Sequence, residues 1–277
     1  MVEDILATVA AAAPEIRAGL PGRRQRTGEE NVTGDEQLAA DVWADDLLCD
    51  RLTALDTVGA YASEERDTVV DAGTGYSVAV DPLDGSSNLR SNNPMGTVVG
   101  VYDRSLPAPG TALAAAAFVL YGPITTMVAA VGDTVTESVI EEGQRRPVDE
   151  VALPTDPVVY GFGGRVPDWT SAFEAYVREV ETELKLRYGG AMIADVSQVL
   201  AYGGIFGYPG LRDRPEGKLR VLFESAPIAY IVEAAGGRSS DGERSLLTVS
   251  PSALHQRTPT FVGNTEYVDR LEAALGD

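Results

Sequence analysis

The chain has 277 residues, 44% of them hydrophobic, which is enough for one large core or two smaller ones and too apolar for a disordered chain. Its formal net charge of −20 argues against nucleic acid or an anionic membrane as partner, because phosphate surfaces recruit lysine and arginine. One cysteine, Cys49, and one histidine, His255, exclude an intrachain disulfide and any Cys- or His-rich metal centre, so a metal here must be held by oxygen. That choice of ligand favours magnesium, manganese or calcium.

The basic residues comprise twenty arginines but only two lysines, Lys185 and Lys218. Few lysines in an acidic chain point to a salt-rich cytoplasm that screens the repulsion between carboxylates; the alternative is base composition combined with ordinary acidity. The opening Met-Val-Glu-Asp lacks the positive start of a signal peptide. The uncharged stretch 112–131 approaches the length of a membrane span, but Gly122-Pro123 breaks it, and it reads as two buried strands joined by a turn. The expected location is the cytoplasm.

In chain order, residues 2–20 predict a helix, with Ile5, Leu6, Val9 and Ile16 among alanines and Pro14 interrupting or kinking it. An arginine-rich polar segment follows to about Gly34. From Asp35 to about Leu55, apolar positions at helical spacing predict an amphipathic helix with Asp35 and Asp41 near its start. A short strand ends in Glu64-Glu65, and a second, from 76, ends in Asp81 and Asp84. Strands at 95–102, 112–120 and 124–131 complete a sheet-rich first half. "LPTDP" at 153–157 is the expected junction between an N-terminal domain, 1–154, and a C-terminal domain, 155–277. Beyond it come a helix at 168–184, a strand near 186–188, a helix through "ADVSQVLAYG", a strand near 218–223 and a helix at 225–235 ended by Gly236-Gly237. Alternating strands and helices predict an α/β, layered fold.

The chemistry concentrates where acids end strands. Glu64-Glu65 alone suits a solvated surface as well as a site. In "DPLDGSSN", 81–88, Pro82 stiffens the turn, the Leu83 carbonyl has room between the two acids, and Gly85 lets the chain bend sharply. The N–H groups of Gly85, Ser86 and Ser87 are placed to hold a phosphate while Asp81 and Asp84 hold its metals. Lys218 and Arg220, two apart, share a strand face and could neutralise a phosphate; a lysine is otherwise a surface charge. With no histidine base nearby, the serines read as backbone donors rather than nucleophiles.

These residues resemble the fructose-1,6-bisphosphatase family, in its eukaryotic and bacterial type, within the sugar phosphatases. The resemblance runs from about Asn31 to Val262. It includes "NVTGDEQLAAD" (31–41), "SEE" (63–65), "DPLDGSSN", "RYGGAMIADV" (187–196), "YGGIFGYP" (202–209), "GKLRVLFESAPIAYIVEAAGG" (217–237) and "HQRTP" (255–259). It implies a layered α/β/α/β/α sandwich and metal ligands at Glu64, Glu65, Asp81, the Leu83 carbonyl, Asp84 and Glu224. About two or three Mg²⁺ ions, or Mn²⁺, would polarise the phosphoryl group there and acidify water. Asp41 and Glu65 are the implied proton acceptors, and Asp35, also an implied catalytic residue, is a further implied metal ligand on its loop. Substrate contacts are implied at Asp84, Gly85, Ser86, Ser87, Met192, Lys218 and Arg220. Tyr188 and Tyr202 are implied to hold the distal 6-phosphate, with Arg187 reaching in from a neighbouring subunit of a dimer or tetramer.

The chain also departs from the family pattern. Gly163 and Val166 stand where an asparagine and a tyrosine commonly face the distal phosphate, and Arg90 stands where an aspartate often follows "DGSSN". Gly75 and Asp103 replace the basic residues of the family's nucleotide site, although Tyr76 remains and the arginines at 23–26 could anchor an anion in another way. The implied activity is removal of the 1-phosphate of fructose 1,6-bisphosphate, a small-molecule sugar bisphosphate. The competing readings are a sedoheptulose-1,7-bisphosphatase, an inositol monophosphatase, or a non-catalytic metal and sugar-phosphate sensor. Retention of both Asp41 and Glu65 speaks against the sensor.

Overall fold

In the computed structural model, residues 1–24, 26–30 and 36–276 are described, with side chains for 1–24 and 38–276. The sequence-predicted Asp35 lies outside the described residues. Helix α1, Val2–Gly19, continues through Pro14, and α2 spans Ala39–Thr53. The expected helix from 35 therefore starts later, because Glu36–Leu38 forms a short strand first. Asp41 accepts a hydrogen bond from the Leu38 N–H at 2.9 Å, closing the first turn of α2.

Eight strands form one sheet, in the order Gln144–Glu150, Thr134–Glu141, Thr125–Val131, Leu113–Tyr121, Met95–Tyr102, Tyr76–Asp84, Val58–Ser63 and Val70–Asp71. All pairs are antiparallel except Val58–Ser63 with Tyr76–Asp84. A second, five-stranded sheet runs Lys185–Leu186, Val159–Phe162, Gly204–Tyr208, Thr260–Gly263 and Arg238–Ser240. Helix α3, Ser171–Glu183, and α6, Thr265–Gly276, pack together on its outer face, where Phe173, Tyr176, Phe261, Val268 and Leu271 are buried.

Helices α4, Met192–Tyr202, and α5, Ala226–Ala234, lie between the sheets. One core there joins Val98, Phe118 and Val128 of the first sheet to Ile193, Ile228 and Val232 of the helices and Phe206 and Val262 of the second sheet. Helices α1 and α2 cover the other face of the large sheet. The result is a five-layer α/β/α/β/α sandwich, and α5 is apolar nearly all round because both its faces are buried.

The strand expected near 218–223 is extended only at Leu219–Arg220; Val221–Ser225 then coils into a wide helical turn leading into α5. The turn brings the Glu224 carboxylate back onto the Arg220 N–H at 2.7 Å. No helix among the described residues is long and apolar enough to cross a membrane.

Candidate active site

Val58–Ser63 and Tyr76–Asp84 are parallel, so the acids that follow one and close the other arrive at the same edge of the sheet. The Glu64 N–H donates to the Val80 carbonyl at 3.0 Å, extending the pairing to the acid itself. Between Asp81, opposite Val98, and Asp84, opposite Gly96, the register slips by one residue. This bulge is held by the Asp81 carboxylate on the Leu83 N–H (3.0 Å) and by the Thr97 hydroxyl on the Pro82 carbonyl (2.9 Å). Asp84 is fixed by the Ile193 N–H at the start of α4, at 2.8 Å.

Gly85 follows at φ 73°, and a Cβ there would collide with Ala191, so only glycine makes the bend. Ser86–Leu89 then forms a 3₁₀ turn, whose first N–H groups have no acceptor within the turn. A single cleft of about 230 Å³ gathers Asp41, Glu64, Glu65, Asp81, Leu83, Asp84, Gly85, Ser86, Ser87, Met192, Lys218, Arg220 and Glu224, together with Tyr208.

Carboxylate oxygens of Glu64, Asp81 and Glu224 lie within 4.8 Å of one another. Burial, then the Glu64 charge, raises Asp81 well above the carboxylate range and pushes Glu224 up to about 8. Burial likewise pushes Asp84 up to about 7, against the Ile193 N–H and Lys218. Asp41 rises to about 7 through burial, opposed by the Leu38 N–H and the Ser86 hydroxyl. Arg220 alone does not neutralise this group: its Nη1 is 2.6 Å from Glu64 and 3.8 Å from Glu224. Buried carboxylates that hinder one another's ionisation, with hard oxygen donors on one wall, fit divalent cations of the magnesium type.

Three expected substrate residues lie elsewhere. Tyr202, at the end of α4, is 46% exposed and lies beneath the Arg187 guanidinium, 5.0 Å from its ring; neither lines the cleft. Tyr188 does not line the cleft either, but its hydroxyl is 2.6 Å from that of Tyr208. Tyr208, not singled out from the sequence, lies in the cleft with Lys218 Nζ 5.0 Å from its ring. A Cβ at Gly163 would collide with that ring, so the departure at Gly163 makes room for Tyr208. The tyrosine six residues after Tyr202 in the same block was the available signal.

A layered α/β sandwich with a carboxylate-lined cleft where two parallel strands end has the donor set of a divalent-cation site. Residues 5–144 match the N-terminal domain profile of fructose-1-6-bisphosphatase, and residues 153–276 match the C-terminal one. The chain belongs to the fructose-1,6-bisphosphatase family. It is 63% identical to a class 1 fructose-1,6-bisphosphatase of Halobacterium salinarum, over 100% of this chain and 98% of that protein. The fructose-1,6-bisphosphatase of Leishmania major in holo form superposes with a TM-score of 0.92 at 30% identity, covering 99% of this chain and 93% of that one. A putative sedoheptulose-1,7 bisphosphatase of Toxoplasma gondii superposes at 0.89 with 27% identity, over 99% and 94%.

Proposed function

We propose that the chain hydrolyses the 1-phosphate of fructose 1,6-bisphosphate. The observation that carries this reading is the convergence of Glu64, Asp81 and Glu224 with the Gly85–Ser87 turn and Lys218 in one cleft. Glu64, Glu65, Asp81, the Leu83 carbonyl, Asp84 and Glu224 would hold Mg²⁺, with Mn²⁺ as substitute. Such ions supply charge neutralisation at the phosphoryl oxygens and acidify water. The N–H groups of Gly85, Ser86 and Ser87 bind the phosphoryl oxygens, and Lys218, in the same cleft, offsets their charge. Asp41, with a pKa about 7, suits a base that takes the proton from the attacking water near neutral pH, with Glu65 as the second candidate. The sugar side is shaped by Met192, Arg220 and Tyr208, with Tyr188 completing a hydroxyl pair for the distal phosphate.

The same reading places the protein in the cytoplasm as a homo-oligomer, dimer or tetramer, in which Arg187 serves a neighbouring subunit. It also divides the chain near 154 into a metal-binding and a sugar-binding half. Phosphate release should be measured with magnesium in molar potassium chloride on fructose 1,6-bisphosphate, sedoheptulose 1,7-bisphosphate and inositol monophosphate. The fructose ester should turn over fastest; preference for either competitor replaces the substrate. Asp84→Asn should lower kcat by at least about a hundredfold while the fold is retained. An unchanged rate at saturating magnesium would remove Asp84 from the site.

A further inference from the structure

The segment that joins the second sheet to α4, residues 187–191, runs between the two ends of the cleft. At one end the Tyr188 hydroxyl meets that of Tyr208 at 2.6 Å. At the other, Gly190 and Met192 line the cleft, Ala191 stands close against Gly85, and the Ile193 N–H holds Asp84 at 2.8 Å. Tyr188 is 45% exposed and meets the Tyr208 ring edge to face, so packing alone leaves its position loosely set.

The Gly189 peptide is tied down from both sides. Its N–H donates to the Asp195 carboxylate at 2.6 Å, and its carbonyl accepts from the Asn88 amide at 2.9 Å. Asp195 stands in the first turn of α4, and Asn88 in the turn that follows Gly85. A Cβ at Gly189 would come 3.3 Å from Asp195 Oδ1, and Gly190 has φ 81°, where a side chain is strained, so the two glycines permit these close approaches. Asp195 is 3% exposed, and its Oδ2 has no hydrogen-bond partner among the described residues. Burial pushes its pKa up to about 6, opposed by the Gly189 N–H. A buried carboxylate with an unsatisfied oxygen costs stability; what it delivers here is geometry, fixing the peptide beside Tyr188 relative to the Gly85–Leu89 turn.

The two ends do not depend on Asp195 equally. The turn has ties of its own, from the Asn88 amide to the Pro94 carbonyl at 2.9 Å and from the Thr97 hydroxyl to the Pro82 carbonyl at 2.9 Å, besides Asp84 on Ile193. Tyr188, by contrast, makes one side-chain hydrogen bond among the described residues, that with Tyr208. Releasing Gly189 therefore disturbs the tyrosine end of the cleft more than the turn.

We infer that Asp195 is a positioning residue that, through the Gly189 peptide, sets the distance between the Gly85–Ser87 turn and the Tyr188–Tyr208 hydroxyls, and so selects a sugar bisphosphate over a monophosphate. The inference rests on the proposed phosphatase reading. The quantity to measure is the ratio of kcat/KM for fructose 1,6-bisphosphate to kcat/KM for fructose 1-phosphate, which lacks the distal phosphate, with magnesium in molar potassium chloride. Asp195→Ala should lower this ratio about tenfold, chiefly by raising KM for the bisphosphate. Asp195→Asn keeps the outline and one acceptor, should lower the ratio about threefold, and tests the same point should the alanine variant fold poorly. In a Tyr188→Phe background, Asp195→Asn should change the ratio by less than about twofold, since the side chain it positions has lost its hydroxyl. A loss of stability alone scales both esters equally, so an unchanged ratio in the Asp195 variants overturns the inference even where total activity falls. Independent effects of Asp195→Asn and Tyr188→Phe overturn the route through Tyr188. Absence of phosphate release from either ester by the wild-type protein overturns the phosphatase reading itself, and the inference with it.

Discussion

Arg66, directly after the Glu64-Glu65 pair, tests whether the acidic turn depends on a clamp outside the cleft. Its Nε is 2.6 Å from Asp45 and its Nη2 is 2.8 Å from Asp46, both on α2, the helix that also carries Asp41. Its carbonyl is 2.9 Å from His255 Nε2, a contact from the C-terminal half of the chain. The Asp45 side chain is only 4% exposed, whereas Arg66 is 28% and Asp46 65% exposed. Breaking a fully buried pair costs roughly 3–5 kcal/mol, and an exposed one up to about 1. Asp45 keeps its hydrogen bond from Tyr61, at 2.8 Å, when Arg66 is removed. Arg66→Met should therefore cost about 2 kcal/mol, close to thirtyfold in the folding equilibrium. It should also lower kcat, because Glu64 and Glu65 lose their tether to the helix bearing Asp41. Urea unfolding in molar potassium chloride gives the first quantity and phosphate release the second. Asp45→Asn combined with Arg66→Met should cost less than the sum of the single changes, since no buried charge is stranded. Single variants within about 0.5 kcal/mol of wild type, or strict additivity, would show that the pair behaves as a surface contact.

Lys218→Arg should impair turnover despite the conserved charge, because a planar fork and a compact ammonium fill different space beside Tyr208; near-normal kinetics would return Lys218 to a surface role. Metal-free protein should lose stability as pH rises from about 4 to about 8, since Asp84 and Glu224, raised to about 7 and about 8, bind more protons folded than unfolded across that window. Magnesium should consequently raise the unfolding temperature more at pH 8 than at pH 5.5, and an equal gain at both would contradict the assignment of these acids as ligands. Thermal unfolding should also shift upward steeply from low to molar potassium chloride, because a net charge of −20 repels itself when unscreened; a flat response would leave base composition as the reason for the missing lysines.

What could be read from the sequence follows from how local each determinant is. "DPLDGSSN" was legible because its glycine, proline and spaced acids constrain one short piece of backbone, and the bulge and left-handed Gly85 fall within it. Helices α1 to α5 were legible by periodicity, α1 and α3 to within a few residues, whereas α6 was not predicted. The strands Thr134–Glu141 and Gln144–Glu150 were missed because the second is largely exposed at the sheet edge, so its residues carry little alternation. Tyr202 and Tyr208 show why side-chain direction was harder than element type. Gly203 and Gly204, at φ 68° and 134°, turn the chain sharply between the helix that ends in Tyr202 and the strand that ends in Tyr208. Neither helical nor strand periodicity carries across such a break, so the direction of the second tyrosine depends on the pairing of its strand with Val159–Phe162 and Thr260–Gly263. Glu224 was identified by resemblance, but its orientation comes from a wide helical turn that hydropathy does not report. In both cases the missing information was the path of the backbone leading into the residue.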